Sequence, residues 1–319
     1  MTMHKKTSQH NTQYTNSHYA VVDLGSNSFH LLITQLINNQ IVVVDKVKQK
    51  VRLASGLNNN NELSNEAIIR GLDCLTLFSK HLIGIPLSNI RIVTTATLRI
   101  AVNRNDFLIP ANEILPLKIN LLSGEQEANT IYSGVAHTSQ GSCNKKRLVI
   151  DIGGASTELI IGQGFDAIHA ISLNLGCVSY KERFFSDGLL TEENFSTAIS
   201  AASKVIAPVS ESFIKLGWQS VLGSSGCMQA LAEILYDRQQ PIIITAAFMQ
   251  EIKQELILCK TIEKIQLSGL RSDRKVVLAS GLSILIALFN IFQISELILS
   301  TGALREGLLY EMLPSQSVF

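Results

Sequence analysis

Two stretches of this chain end an apolar run on an acid, turn through small hydroxyl-rich residues, and resume as an apolar run. The first is VVDLGSNSFHLLI, Val21 to Ile33; the second is LVIDIGGASTELII, Leu148 to Ile161. In the turns, Gly25 and the Gly153–Gly154 pair let the backbone bring its amide N–H groups close to a ligand. Ser26, Asn27, Ser28, Ser156 and Thr157 add side-chain donors. Such nests of donors suit phosphate oxygens. Neither turn is a P-loop, because GxxxxGK[ST] is absent and each turn leads into a strand. Asp23 and Asp151 would repel a phosphate unless a cation stands between them. Asp151 and Glu158 bracket the second turn, so Mg²⁺ or another hard divalent cation, held partly through water, resolves the conflict. Either turn alone reads better as a polar-capped hairpin; two placed alike in one chain reverse that and favour the binding reading.

The elements that position these turns repeat. After a polar tail over residues 1–17, strands are expected at Tyr19–Asp23, Phe29–Leu36 and Gln40–Val51. A helix capped by Ser64 follows, with Ile68, Leu72, Leu75 and Leu82 on one face. Then come a strand at Arg91–Thr95, a helical region near Asp106–Ile114, a strand at Leu117–Leu122 and a helix at Gly124–Ala136. The plan restarts with strands at Arg147–Asp151, Thr157–Ile161 and Asp166–Leu173. A helix from Thr191 to Leu216 follows, then a short strand at Val221–Leu222 and a helix at Met228–Leu235. Helices at Ala246–Lys260 and Ser272–Phe292, a strand at Leu297–Leu299 and a helix at Leu304–Leu313 complete the chain. Both halves read β-β-β-α-β-α, which predicts two α/β lobes with a ligand cleft between them. Lobe I covers residues 18–136 and lobe II residues 137–319, joined by Gly141–Lys146, with the last helix near the lobe hinge.

Composition narrows the class. With Lys+Arg 27 against Asp+Glu 26, the net charge is +1, so no field is available for nucleic acid, and an anionic substrate must be drawn by local clusters. Cys74, Cys143, Cys177, Cys227 and Cys259 form no CxxC pair, which fits reduced thiols in a cytoplasm. The opening residues contain no apolar signal region. The uncharged stretch Val276–Phe292 is short for a membrane span and contains Ser280, Gly281, Ser283 and Asn290, so a buried core helix is expected and no membrane. Lys46, Lys48, Lys50 and Arg52 alternate at period two, giving one strand face that is either solvated or a track for a polyanion.

Six segments in order, VVDLGSNSFHLLI, TTATLRIAVN, LLSGEQEA, LVIDIGGASTEL, GSSGCMQAL and GALREGLLYEM, resemble the Ppx/GppA family of exopolyphosphatases and guanosine pentaphosphate phosphohydrolases. That family sits within the actin, sugar-kinase and Hsp70 superfamily, and the likeness runs over about residues 18 to 313. It implies a duplicated actin-like (ribonuclease H-like) ATPase fold with a central cleft. It also implies hydrolysis of a terminal phosphoanhydride, from guanosine pentaphosphate or inorganic polyphosphate. The resemblance puts the water-activating carboxylate on Glu127 and makes Arg99 an arginine facing the phosphates. It assigns Asp23, Gly25, Ser26, Asn27 and Ser28 to the first phosphate loop and Gly153, Gly154, Ser156 and Thr157 to the second. Asp151 and Glu158 become the metal-linked acids, and Gly223, Ser224, Ser225 and Gly226 a loop on the nucleoside side or a plain strand-to-helix turn. Gln126 stands where relatives often carry a second acid, and Ala155 where many carry glycine. Arg305 and Glu306 are expected to serve structural pairing of the last helix. A homodimer is left open. A non-catalytic alarmone or polyphosphate sensor and an ATP-dependent kinase are the alternatives from other classes.

Overall fold

The computed structural model describes residues 14–139 and 144–314. Most of the polar tail and the first half of the Gly141–Lys146 linker, with Cys143, lie outside the described residues. The first half contains β1 (His18–Leu24), β2 (Phe29–Ile37), β3 (Gln40–Gln49), α1 (Asn65–His81), β4 (Ile90–Thr94), α2 (Ala96–Ile100), α3 (Arg104–Ile114), β5 (Asn120–Leu121) and α4 (Gly124–Thr138). The second contains β6 (Lys146–Ile152), β7 (Thr157–Gln163), β8 (Asp166–Leu173), α5 (Cys177–Phe184), α6 (Glu192–Leu216), β9 (Ser220–Ser224), α7 (Ser225–Asp237), β10 (Ile243–Thr245), α8 (Ala246–Cys259), α9 (Lys275–Phe292), β11 (Glu296–Leu299) and α10 (Leu304–Tyr310).

The duplication holds at the level of topology. The first sheet has the order β3-β2-β1-β4-β5 and the second β8-β7-β6-β9-β11-β10. In each, two antiparallel hairpins precede parallel strands on the far side, and the second adds the antiparallel edge β10. This is the two-lobe actin-like plan. Period-two alternation then sorts the side chains. Ala20, Val22 and Leu24 enter a core with α1 and α3, whereas Val21 faces the other way; Leu148, Ile150 and Ile152 enter the core of α6–α9, whereas Val149 faces the other way. Val21 and Val149 meet in a third core, filled by Ile131, Tyr132 and Val135 of α4 and Leu304, Leu308 and Leu309 of α10. Asp23 and Asp151 lie two residues further along on those same faces, so both acids are aimed at the space between the sheets.

Helix α4, encoded in the first half, packs on β7 and β8 of the second sheet, and α10, the last helix, packs on both α4 and β1. Their crossing is close enough to require glycine. A Cβ on Gly134 would lie 2.0 Å from the Ala303 carbonyl oxygen, and one on Gly307 would lie 1.9 Å from that of Thr130. The uncharged stretch near the C-terminus is α9, which packs against α6 with nearly all its apolar residues buried, as a core helix does. Two expectations need correction. The strand expected at Leu117–Leu122 shrinks to Asn120–Leu121, because Pro116 has no N–H and the Ile119 amide donates to Asn112 Oδ1 instead. Lys50 and Arg52 are not on the strand that bears Lys46 and Lys48, which ends at Gln49; Arg52 adopts φ +52° beyond it.

Candidate active site

The site grows from the first residue row of each lobe. Asp23 pairs in register with His30 across β1 and β2, and His30 with Lys48 across β2 and β3. Asp151 pairs with Glu158 across β6 and β7, and Glu158 with Ser172 across β7 and β8. Directly opposed residues share a face, so each sheet presents one transverse row to the cleft: Asp–His–Lys from the first, Asp–Glu–Ser from the second.

The turns beside these rows face each other. A Cβ on Gly154 would lie 2.7 Å from Ser26 Cβ and 3.2 Å from the Asn27 amide nitrogen, so glycine permits the two loops to meet. Their carbonyls are tied elsewhere. Ser26 and Asn27 oxygens accept from the amides of Ala54 (2.9 Å) and Arg52 (2.8 Å). Gly153 and Gly154 oxygens accept from Cys177 (2.9 Å) and Val178 (2.8 Å) at the start of α5. Among the described residues, the amides of Ser26, Asn27, Gly154 and Ala155 have no protein acceptor. Two loops with occupied carbonyls and free N–H groups make an anion cradle.

Glu127 is in the first turn of α4, where Ser123 caps the helix by accepting from Gln126 N. The Gln126 side chain completes the capping box by accepting from Ser123 N at 2.8 Å, so the position that often holds a second acid serves the helix start here. Arg99 Nη1 donates to Glu127 Oε2 at 2.6 Å and to the Leu122 carbonyl at 3.1 Å. Arg99 Nη2 reaches Ser172 Oγ at 3.3 Å, and Ser172 Oγ in turn donates to Glu158 Oε1 at 2.7 Å. Glu127, Arg99, Ser172 and Glu158 thus form one network spanning both halves of the chain. Asp151 Oδ2 accepts from Ser224 Oγ at 2.7 Å.

Asp23, Glu127, Asp151 and Glu158 line a cleft of about 210 Å³ together with Ser28, Gly153, Ser156, Ser225 and Gly226. These acids crowd together in it, and their ionisation reflects that. Burial pushes Asp23 up to about 6, with Arg305 opposing and Asp151 reinforcing the shift. Burial pushes Glu127 up to about 7 despite the Arg99 ion pair, which alone would lower it; Asp151 and Asp23 add repulsion. Asp151 is raised by burial, against hydrogen bonds from Ser224 and Ser225. Glu158 is raised well above the carboxylate range by burial and by the charges of Glu127 and Asp151.

A hard cation would relieve this repulsion. Among the described residues, no three Asp, Glu, His or Cys side chains converge to hold a metal unaided. Asp151 and Glu158, adjacent on one face, fit the Mg²⁺ pattern of one or two carboxylates completed by water and phosphate oxygens.

The sequence-derived site is therefore mostly assembled, with three adjustments. Arg99 does not line the cleft; it stands behind Glu127 and holds it. The Thr157 hydroxyl is buried and donates to the Leu175 carbonyl, away from the loop. Of the GSSG segment, Ser225 and Gly226 line the cleft, whereas Ser224 lies behind as a support for Asp151, and Gly223 packs on Leu297. Ser225 adopts φ +77°, a sparsely populated conformation for serine. The sequence reading missed His30, Asp273, Arg274 and Arg305 as cleft residues, and of the two readings it gave for the lysine row, Lys48 and Lys50 reach the cleft. Arg305 Nη1 sits 3.3 Å from His30 Nδ1, while Glu306 Oε2 caps α10 by accepting from Ala303 N at 3.0 Å. Only Glu306 has the structural role expected of that pair. The lysine alternation along β3 was the available signal for Lys48.

Comparison with known proteins places the geometry. The model of the Ppx/GppA phosphatase family matches residues 32–316. A guanosine-5'-triphosphate,3'-diphosphate pyrophosphatase of Pseudoalteromonas translucida (strain TAC 125) is 52% identical over 296 residues, 93% of this chain and 59% of the relative. One of the same name from Vibrio atlanticus (strain LGP32) is 51% identical over 294 residues, 92% of this chain and 59% of the relative. The chain thus spans about three-fifths of the length of the curated relatives it matches. The crystal structure of an exopolyphosphatase from Cytophaga hutchinsonii superposes with a TM-score of 0.83 at 22% identity, covering 92% of this chain and 97% of that one. An Aquifex aeolicus member of the Ppx/GppA family gives 0.73 at 23% identity, covering 92% and 96%.

Proposed function

The chain belongs to the Ppx/GppA phosphatase family, and on that premise we propose that it hydrolyses the terminal phosphoanhydride of guanosine pentaphosphate, leaving guanosine tetraphosphate, or of inorganic polyphosphate. The names of its half-identical relatives favour the nucleotide. The observation that carries the reading is the meeting of two loops with free amides beside three buried carboxylates and the half-buried Asp23, with Glu127 held by an arginine.

The terminal phosphate accepts hydrogen bonds from the amides of Ser26, Asn27, Gly154 and Ala155. Glu127 orients a water molecule opposite the bridging oxygen and takes its proton as the water oxygen bonds to phosphorus. The bond from phosphorus to the bridging oxygen breaks, and that oxygen leaves with the electron pair on the shortened substrate. Orthophosphate is the second product. A pKa of about 7 leaves Glu127 basic enough to accept the proton while about half of it is ionised at neutral pH. Arg99 fixes its orientation. A divalent cation held by Asp151 and Glu158 would supply charge neutralisation on the phosphate oxygens. The four described cysteines, all free thiols, and the buried apolar helix α9 support a cytoplasmic setting.

The test offers guanosine pentaphosphate and polyphosphate to the purified chain with Mg²⁺, with and without a chelator, and measures free phosphate. Release that needs the metal supports the reading; no release from either substrate, with binding intact, rejects it in favour of a sensor.

A further inference from the structure

Beside the main cleft lies a second hollow of about 150 Å³, bordered by Asn27, Lys50, Arg52, Ser55, Lys181 and Asp273. It shares Asn27, Lys50 and Asp273 with the cleft, so the two spaces meet at the first phosphate loop. Its charged groups are Lys50, Arg52 and Lys181 against Glu182 and Asp273.

Each cation is placed for a different reason. Lys50 follows directly on β3. Arg52 is held in the left-handed region, at φ +52°, by the hydrogen bond from its amide to the Asn27 carbonyl. A non-glycine residue in that conformation persists only where its surroundings enforce it; here the enforcing contact is the phosphate loop itself. Lys181 comes from α5, the helix whose first amides anchor the second loop, and among the described residues its ionic partner is its sequence neighbour Glu182 alone, at 3.3 Å.

Asp273, just before α9, already behaves as an anion for this cluster. Its Oδ2 lies 3.4 Å from Lys48 Nζ and 3.9 Å from Lys50 Nζ, its Oδ1 accepts from Arg271 Nε at 3.1 Å, and its carbonyl accepts from Lys50 Nζ. Lys48 and Lys50 belong to the first lobe and Asp273 to the second, so these contacts bridge the cleft mouth. Partly exposed ion pairs of this kind are weak and screened by salt, which a multivalent phosphate can replace.

We propose that the hollow is a second anion subsite for the phosphate groups remote from the scissile bond, and that Asp273 holds Lys50, with Lys48 of the adjoining cleft, until those phosphates displace it. The proposal rests on the phosphohydrolase reading of the main cleft and adds the determinant of substrate length. Its ligand is a diphosphate or longer phosphate segment, which is either the 3′-diphosphate of the nucleotide or the inner units of a polyphosphate.

Calorimetric binding to the full chain tests it, with inorganic tripolyphosphate and guanosine triphosphate as short ligands and a longer linear polyphosphate and guanosine pentaphosphate as long ones. The variants are Arg52→Asn with Lys181→Gln, in which asparagine suits the positive φ, and separately Asp273→Asn. The double variant should weaken a long ligand by roughly 10- to 100-fold, about tenfold per lost charge-assisted contact, and the matching short ligand about twofold at most. Loss confined to the pentaphosphate assigns the subsite to the 3′-diphosphate; loss confined to polyphosphate assigns it to inner chain units. Asp273→Asn should tighten long ligands severalfold. Equal losses for short and long ligands, no loss, or no tightening in Asp273→Asn would overturn the proposal. If the native chain binds long ligands more tightly but hydrolyses none, the hydrolase reading fails while the subsite stands. If it hydrolyses them without any binding preference for length, the subsite fails alone.

Discussion

Replacing Glu127 by Gln separates catalysis from folding in a way that few cleft substitutions can. The side chain is 8% exposed, and its pKa is pushed up to about 7 from 4.5. Keeping it ionised above neutrality therefore costs the folded state about 3 kcal/mol relative to the neutral acid. The sign follows from linkage: a carboxyl whose folded pKa is raised contributes stability below its unfolded pKa, and that stability is lost as pH rises through about 7. Glutamine is neutral at every pH and keeps an acceptor for Arg99, whose other partners, the Leu122 carbonyl and Ser172, are unchanged. Glu127→Gln should thus melt no lower than the native chain at about pH 5 and up to a few degrees higher at about pH 8. Turnover should fall by roughly 10²- to 10⁴-fold, the usual contribution of a positioned base and about 3–5 kcal/mol of barrier, with KM little changed. The assay pairs calorimetric melting at both pH values with phosphate release over a substrate series. A variant that stays folded and turns over within threefold of the native chain removes Glu127 from the chemistry.

The remaining predictions concern its neighbours. The acid limb of the pH–rate profile should rise through about 7 as Glu127 ionises; a limb near an ordinary carboxylate value would show that another group is the base. Arg99→Gln removes the cation that opposes that upward shift, so the limb should move to higher pH, with activity lost about 10- to 100-fold at neutrality and partly regained in alkali. A profile merely scaled down, with its limb unmoved, would mean that Arg99 only supports the fold. Gly307→Ala puts a Cβ 1.9 Å from the Thr130 carbonyl oxygen, so α10 must move off α4. We expect a loss of at least about 3 kcal/mol in denaturant unfolding, and a loss below about 1 kcal/mol would contradict the close crossing.

The hairpins and most helices were legible because local chemistry marks them. Ser64, Ser123 and Thr191 cap helices that start where their side chains allow, and the paired Asp-turn motifs fixed the core of the site. Helix α5 was not anticipated: it is short and its N-cap is Gly176, which carries no capping side chain. The exchange of α4 and α10 between the sheets was equally hidden, since Gly134 and Gly307 reveal their purpose only when the helices meet. Lys48 and Asp273 are 225 residues apart, and no spacing rule joins them. Arg99 was identified but misplaced: a motif gives a residue's presence at a site, not whether it faces the ligand or the group that does. Gln126 was read only against a second acid, although Ser123 three residues before it offers the capping box that the helix start uses.

The central claim is that water, positioned by Glu127, attacks the terminal phosphorus. Hydrolysis of guanosine pentaphosphate or polyphosphate by the native chain in water enriched in the heavy oxygen isotope tests it directly, with both products analysed by mass spectrometry. The label should enter the released orthophosphate, one atom per phosphate, and be absent from the shortened substrate. Label in the shortened substrate, or no phosphate released from either compound, would contradict the account.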